Sequence, residues 1–231
     1  ANFRSIKDKI TLSMQATTLK DRPENKFTEN GMDFVRTAVI YGPNASGKSN
    51  LVLALSSFIR FVSNPGTSTD GTIGFYTPFL LSDETKEEPV EFFCKYIYNS
   101  ILYEYSYSVV FKAVVREKLA MKNLESKTKK TTVFERDGQS IKVRGKMLDA
   151  QYIVDKGMVR PNRLFLNTAY QFNIATAEEA IKGLLSIRPI SGLTDDGLLD
   201  YSLRQLKKDE RKPAIMDLIK TDNHKMDKHK K

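Results

Sequence analysis

The chain has 231 residues, 40% of them hydrophobic and 28% charged, with a formal net charge of +9. That mix is enough for a sizeable core, and it excludes collagen-like, disulfide-scaffold and intrinsically disordered classes. The longest apolar runs, such as Leu51–Leu55, fall far short of the ~20 residues of a membrane-spanning helix, so no membrane partner is expected.

Residues 2–14 alternate loosely through Phe3, Ile6, Ile10, Leu12 and Met14, which predicts two short strands around Lys7-Asp8-Lys9. Residues 20–33, with Pro23 and Gly31, read as a loop. Thr37–Tyr41 is a compact β-branched and aromatic run, read as a buried strand. Leu51, Leu55, Phe58, Ile59 and Val62 then recur at helical spacing across Asn50–Val62. Asn64–Asp70 and Asp83–Pro89 are turn-rich breaks.

Val90–Tyr98 and Ile101–Phe111 predict a hairpin closed by Asn99-Ser100, with Tyr103, Tyr105 and Tyr107 on one face. That stripe is either a half-buried sheet face or a base-stacking platform. Short strands are expected near Thr131–Glu135 and Ser140–Val143, completing an antiparallel meander. Leu164–Leu166 reads as a short strand. Ala175–Leu185 reads as a helix, with Thr176 as N-cap and Glu178-Glu179 in the first turn. Gly192–Gly197 reads as a loop, followed by helical pieces Leu198–Lys212 and Ala214–Lys220 divided by Pro213.

The basic excess is localised. Lys112–Lys146 holds 11 Lys/Arg against 4 Asp/Glu, and Arg204–Lys231 holds 10 against 5. Such segments are either solvated faces or surfaces for DNA, RNA or an acidic partner. Cys94 is the only cysteine, which fits a reducing, cytoplasmic compartment. His224 and His229 sit in a lysine-rich tail without metal-ligand spacing. The absence of an initial Met or an apolar leader, and the lysine-rich end, lead us to expect a piece of a longer protein without a signal peptide.

The chemistry concentrates in Gly42-Pro43-Asn44-Ala45-Ser46-Gly47-Lys48-Ser49, which fits the phosphate-binding pattern G-x-x-x-x-G-K-[ST]. Glycines let the backbone turn and approach phosphate closely, successive N–H groups form an anion nest, and the following helix aims its positive end at the same point. Lys48 can reach the β- and γ-phosphates, and the Ser49 hydroxyl can ligate Mg²⁺. By average residue usage a chance match is roughly a 1% event in a chain this long. The cofactors expected are therefore ATP and Mg²⁺.

With Asn50 and Leu51 the phrase GPNASGKSNL resembles the P-loop of SMC-like ABC ATPases, including RecF-like and OLD-family proteins. Asn2-Phe3-Arg4-Ser5 resembles the NFRS element that opens many of them, which implies a phosphate-side contact for Arg4. Arg163-Leu-Phe-Leu-Asn-Thr-Ala-Tyr-Gln171-Phe-Asn is similar to their Q-loop region, which implies that Gln171 approaches Mg²⁺ and the attacking water. LFLNTAYQFN, with the meander and Phe134–Gly138, resembles AAA-labelled, ABC-like ATPases found beside prokaryotic defence genes, in abortive-infection, retron-associated and Septu- or PARIS-like systems.

The resemblance implies an α/β P-loop NTPase fold and an N-terminal lobe of an ABC-type head over 1–231. Within it, 1–62 would hold strands, P-loop and helix, 63–160 a β-rich meander, and 161–231 the Q-loop-like segment and helices. It also implies homo-oligomerisation through ATP-bound heads and control of an effector such as a nuclease. No apolar run ending in Asp-Glu and no LSxG loop occurs in the sequence. The family carries these elements in a C-terminal lobe, so this chain is expected to bind ATP and, without that lobe, not to turn it over. The competing readings are a RecF-type DNA-repair head, a non-hydrolysing nucleotide-binding interaction module, and a small-molecule P-loop kinase. The kinase reading lacks a second carboxylate after a strand and an arginine-rich lid.

Overall fold

A computed structural model describes residues 1–17, 23–63, 70–189, 206 and 213. The chain divides into two units, Ala1–Pro189 and Ile190–Lys231. In the second unit only Leu206 and Pro213 are described, both helical. The expected loop Gly192–Gly197 lies outside the described residues, as do the helical pieces Leu198–Lys212 and Ala214–Lys220 apart from Leu206. Most of the turn at 64–70 is outside them too.

The first unit is built on a five-stranded antiparallel meander, β3 Val90–Tyr98, β4 Ile101–Val110, β5 Ala113–Asn123, β6 Thr131–Asp137 and β7 Ser140–Val143, in that spatial order. A separate hairpin pairs β1 Lys26–Glu29 with β2 Met32–Val35. The helices are α1 Lys48–Ser63, α2 Gln151–Asp155, α3 Phe165–Gln171 and α4 Ala175–Ser186. Described strands are thus all antiparallel, and the helices are mixed with them. Among the described residues no helix is long and apolar enough to cross a membrane.

The expected hairpin β3–β4 is present, with Val90 to Tyr98 in register with Val109 to Ile101. Asn99 and Ser100 close it at φ 49° and 57°, a two-residue turn of left-handed residues whose backbone twist matches the right-handed twist of the strands. Strand alternation sends Tyr103, Tyr105 and Tyr107 to one face, where each is 2% exposed or less. That burial overturns the base-stacking reading: the rings face the core. Tyr96 and Tyr103 stack at 5.1 Å, and Tyr96 Oη donates to the Ala180 carbonyl of α4 at 2.7 Å. Gly183 of α4 is pressed on the same place, where an added Cβ would stand 2.6 Å from Tyr96 Cε2. Cys94, on β3, is largely covered, and burial pushes its thiol up to about 12.

Several expectations are corrected. Residues 2–14 form no strands. Phe3 and Ile6 bridge each other across a tight turn, and Gln15 bridges Phe34. The loop expected at 20–33 overlaps the β1–β2 hairpin, Lys26 to Val35, turned by Asn30-Gly31 at φ 50° and 74°. Its residues are half-buried or exposed, so apolar alternation was too weak to mark strands. Thr37–Tyr41 is neither a strand nor buried: Val39 is 80% exposed and Tyr41 91%. A strand is buried only when neighbours pair with it and layers cover it, and among the described residues none does.

Leu164–Leu166 is not a strand either. Leu164 is the N-cap of α3, and Phe165 and Leu166 form its first turn. The cause is remote in sequence. Glu117, mid-way along β5, accepts the Phe165 N–H at 2.6 Å and the Leu166 N–H at 3.0 Å. Its carboxylate satisfies helix-start donors that no local side chain caps. Tyr105 Oη donates to the same carboxylate at 2.8 Å, and Arg136, paired with Glu117 across the strands, stands 3.8 Å away. Arg136 also donates to the carbonyls of Gly138, Arg163 and Pro161. Burial pushes the Glu117 carboxyl up and the Arg136 guanidinium down, each opposed by the other's charge. Thr176 is likewise not an N-cap: Ile174 takes that position, and the Thr176 hydroxyl donates to the Lys146 carbonyl.

On the opposite sheet face the basic residues of 112–146 are interleaved with acids. Glu104 pairs with Lys95 and Lys130, and Glu135 with Arg144. Exposed pairs of this kind add little stability, at about 0–1 kcal/mol each.

Candidate phosphate site

The helix predicted over Asn50–Val62 is present as α1, starts two residues earlier at Lys48, and is anchored along the core face of the sheet. Phe58 stacks on Tyr107 at 5.4 Å with an interplanar angle of 1°, and Phe61 meets Phe75 edge-on at 4.9 Å. At its far end Asn167 of α3, buried, donates to the Val62 carbonyl at 2.8 Å. That bond satisfies one of the last-turn carbonyls that a helix leaves unpaired. The aromatic cluster and this cap fix α1 in place, so its N-terminus projects from the core with residues 42–47 wrapped in front of it.

The loop turns on two residues at positive φ. Gly47 adopts φ 91°, which only glycine takes without cost. Ala45 adopts φ 64°, a left-handed conformation costing an L-residue roughly 1–2 kcal/mol. Alternation of right- and left-handed residues turns successive N–H groups inward, the geometry of an anion nest. The Lys48 and Ser49 N–H groups, in the first turn of α1, have no intrahelical acceptor. Gly42 is also close-packed, since a Cβ there would stand 3.2 Å from Ser46 Oγ.

Lys48 folds its ammonium back over the loop. Its Nζ donates to the Gly42 carbonyl at 2.7 Å, the Pro43 carbonyl at 2.5 Å and Ser46 Oγ at 3.5 Å. The cation thus sits at the mouth of the loop on oxygen atoms that phosphate oxygens can replace. Ser49 is exposed beside it, as are Asn44, Ala45 and Ser46. This residue set fits a nucleotide phosphate: a nest of backbone donors, a helix N-terminus, the Lys48 cation and a hydroxyl. Among the described residues no group of three or more His, Cys, Asp or Glu could hold a metal by itself. A Mg²⁺ here would rest on Ser49 and on the nucleotide's own oxygens.

The other predicted residues divide. Asn50 meets the N-terminal turn, donating from Nδ2 to Ser5 Oγ at 2.6 Å. Arg4 belongs to that turn, at φ 52°, with an exposed side chain. Gln171 is the last residue of α3 and is exposed. Its helix meets α1 through Asn167 at the C-terminal end, and the 16-residue α1 is about 24 Å long. The structure brings residues 42–50 and the turn around Arg4 together, whereas Gln171 ends the helix whose Asn167 meets the C-terminal end of α1. Sequence reading missed Ser5 and Asn2 as tethers of this region. Ser5 stands in the quoted NFRS phrase, but nothing local marks a hydroxyl that bonds 45 residues away.

Comparison with curated proteins and with solved structures returns no match. A family profile described as "AAA domain, putative AbiEii toxin, Type IV TA system" matches residues 38–220, which take in the phosphate loop, α1, the whole meander and α2 to α4. The match spans well over half of the chain, and the protein belongs to this family of P-loop AAA domains.

Proposed function

We propose that the chain is the nucleotide-binding part of an ATPase head that takes Mg²⁺-ATP in residues 42–50. One observation carries the reading: the Lys48 ammonium lies across the mouth of a positive-φ loop at the start of α1, held only by exchangeable oxygens. In this reading the backbone of Gly42, Pro43, Asn44, Ala45, Ser46 and Gly47 wraps the phosphates. Lys48 offsets their charge, Ser49 ligates Mg²⁺, and Asn50 holds the loop to its neighbour. Bound Mg²⁺ would neutralise charge on the β- and γ-phosphates. Arg4, carried on the turn that Ser5 ties to the loop, reaches toward the phosphate side. Gln171, exposed at the end of α3, is assigned the metal side in the assembled head.

The finer assignment is an SMC-like ABC head of an antiphage-defence complex, pairing with a second copy around ATP and controlling an effector such as a nuclease. Three features support it: the flanks of GPNASGKSNL, the toxin–antitoxin description of the family, and the exposed run at residues 37–41. That run leads straight into the loop and offers an apolar edge on which further strands of a head can assemble.

The test is thermal unfolding with and without Mg²⁺-ATP. A ligand at 100 times its Kd stabilises the native state by about 2.7 kcal/mol. For a protein of this size the midpoint should rise by roughly 5–10 °C. An unchanged midpoint at millimolar Mg²⁺-ATP would contradict the reading.

A further inference from the structure

Residues 2–6 form a turn that joins two loops far apart in the chain. On one side Ser5 Oγ accepts from Asn50 Nδ2 at 2.6 Å and stands 3.5 Å from where a Cβ on Gly47 would lie. On the other, the Arg4 N–H donates to the Thr77 carbonyl at 2.7 Å, and the Phe79 N–H donates to Asn2 Oδ1 at 2.8 Å. Asn2 Nδ2 then reaches the carbonyls of Thr85 and Glu88, each at 2.9 Å. Asn2 is buried, and both ends of its amide are committed to residues 77–89. Phe3, between the two attachments, is buried against Phe92 at 5.6 Å.

The turn is also strained. Arg4 sits at φ 52°, a conformation costly for its side chain, beside Asn2 at φ 53°, a residue type that tolerates it. Such conformations persist only where the surroundings over-determine them, and they cluster at ligand clamps and switches. A turn pinned at both ends and seated on a buried ring moves as one body. The loop at 77–89 carries an open tip, with Leu80 64% and Leu81 89% exposed.

We infer that Ser5 and Asn50 are positioning residues that couple occupancy of the phosphate loop to the loop at residues 77–89. The inference rests on the nucleotide site proposed above. Phosphate draws Lys48 off the Gly42 and Pro43 carbonyls and resets the loop. Gly47 and Asn50 pass that change to Ser5, and the turn delivers it through Arg4 and Asn2.

Hydrogen exchange on the full chain, with and without Mg²⁺-ATP, reads both ends at once. In the wild type, nucleotide should slow exchange at 42–50 and, by about fivefold, at 77–89, the scale of one hydrogen bond's net worth. Ser5→Ala should keep the slowing at 42–50 and lose it at 77–89, and Ser5→Thr should keep both. Asn2→Ala cuts the other end of the turn, at residues 77–89, and carries the test if Ser5→Ala fails to fold. A response at 42–50 with none at 77–89 in the wild type overturns the coupling and leaves the nucleotide site standing. So does an undiminished response at 77–89 in both alanine variants. Silence at both segments in the wild type overturns the nucleotide site and the coupling with it.

Discussion

Phosphate release by this chain alone, at saturating Mg²⁺-ATP, should stay near the uncatalysed background at every protein concentration. Phosphoryl transfer to water is mostly positioning and charge stabilisation. The loop, Lys48 and Ser49 can hold the β- and γ-phosphates, but these groups offer no base for the attacking water. The sequence has no apolar run ending in Asp-Glu, and the buried carboxylate of Glu117 already serves the start of α3 and Arg136. A missing general base alone costs about 10²–10⁴ in rate. Adding a segment or chain that carries such a carboxylate should restore turnover, and, if heads pair around ATP as proposed, the restored rate should depend on protein concentration. Enzyme-like turnover by this chain alone, independent of concentration, would show that its catalytic residues lie within it.

The second large effect is on stability. Glu117→Gln should destabilise the first unit by about 3–5 kcal/mol, the usual cost of breaking a buried charge pair by removing one partner. The carboxylate serves two backbone N–H groups, the Tyr105 hydroxyl and Arg136 at once. A glutamine has one acceptor oxygen for these donors and brings an NH₂ among them. The damage should spread, because α3 holds the far end of α1 through Asn167. The pH dependence has a definite sign. Burial holds the folded Glu117 carboxyl above its ordinary range, so the folded state takes up the proton first. That contribution is full below the unfolded value of about 4.3 and is lost as pH rises through the folded value. Glu117→Gln removes that portion of the pH dependence. Denaturant unfolding of both proteins across this window measures both effects. A loss under about 1 kcal/mol would mean that the carbonyl partners of Arg136 suffice without the carboxylate.

Legibility followed how local the cause was. The β3–β4 hairpin was readable because its alternation is regular and its turn is two polar residues. The helix α1 was readable because its buried positions recur at helical spacing. The P-loop motif was readable because its residue types are the pattern, and the structure gives it positive φ at Ala45 and Gly47 at the start of α1. The long central strand β5 was not singled out. Arg116, Glu117 and Lys118 interrupt its apolar pattern, bulges break its register beside Ser108 and after Leu119, and its buried glutamate has a partner on another strand. The helix α3 was misread because its first turn is capped by that same glutamate, 48 residues away. Thr37–Tyr41 has the composition of a buried strand, but composition does not supply the neighbours that would bury it. Within the site, the loop was legible and its tether through Ser5 was not.

The most direct measurement of the central claim is calorimetric titration of Mg²⁺-ATP into the wild-type chain and into Lys48→Ala. Lys48 is the cation lying over the loop mouth, and its charge-assisted bonds are the strongest the loop can offer a phosphate. The account predicts saturable one-site binding by the wild type and a loss of at least about tenfold in affinity for Lys48→Ala, the equivalent of one charged hydrogen bond. Equal affinity of the two proteins would contradict it.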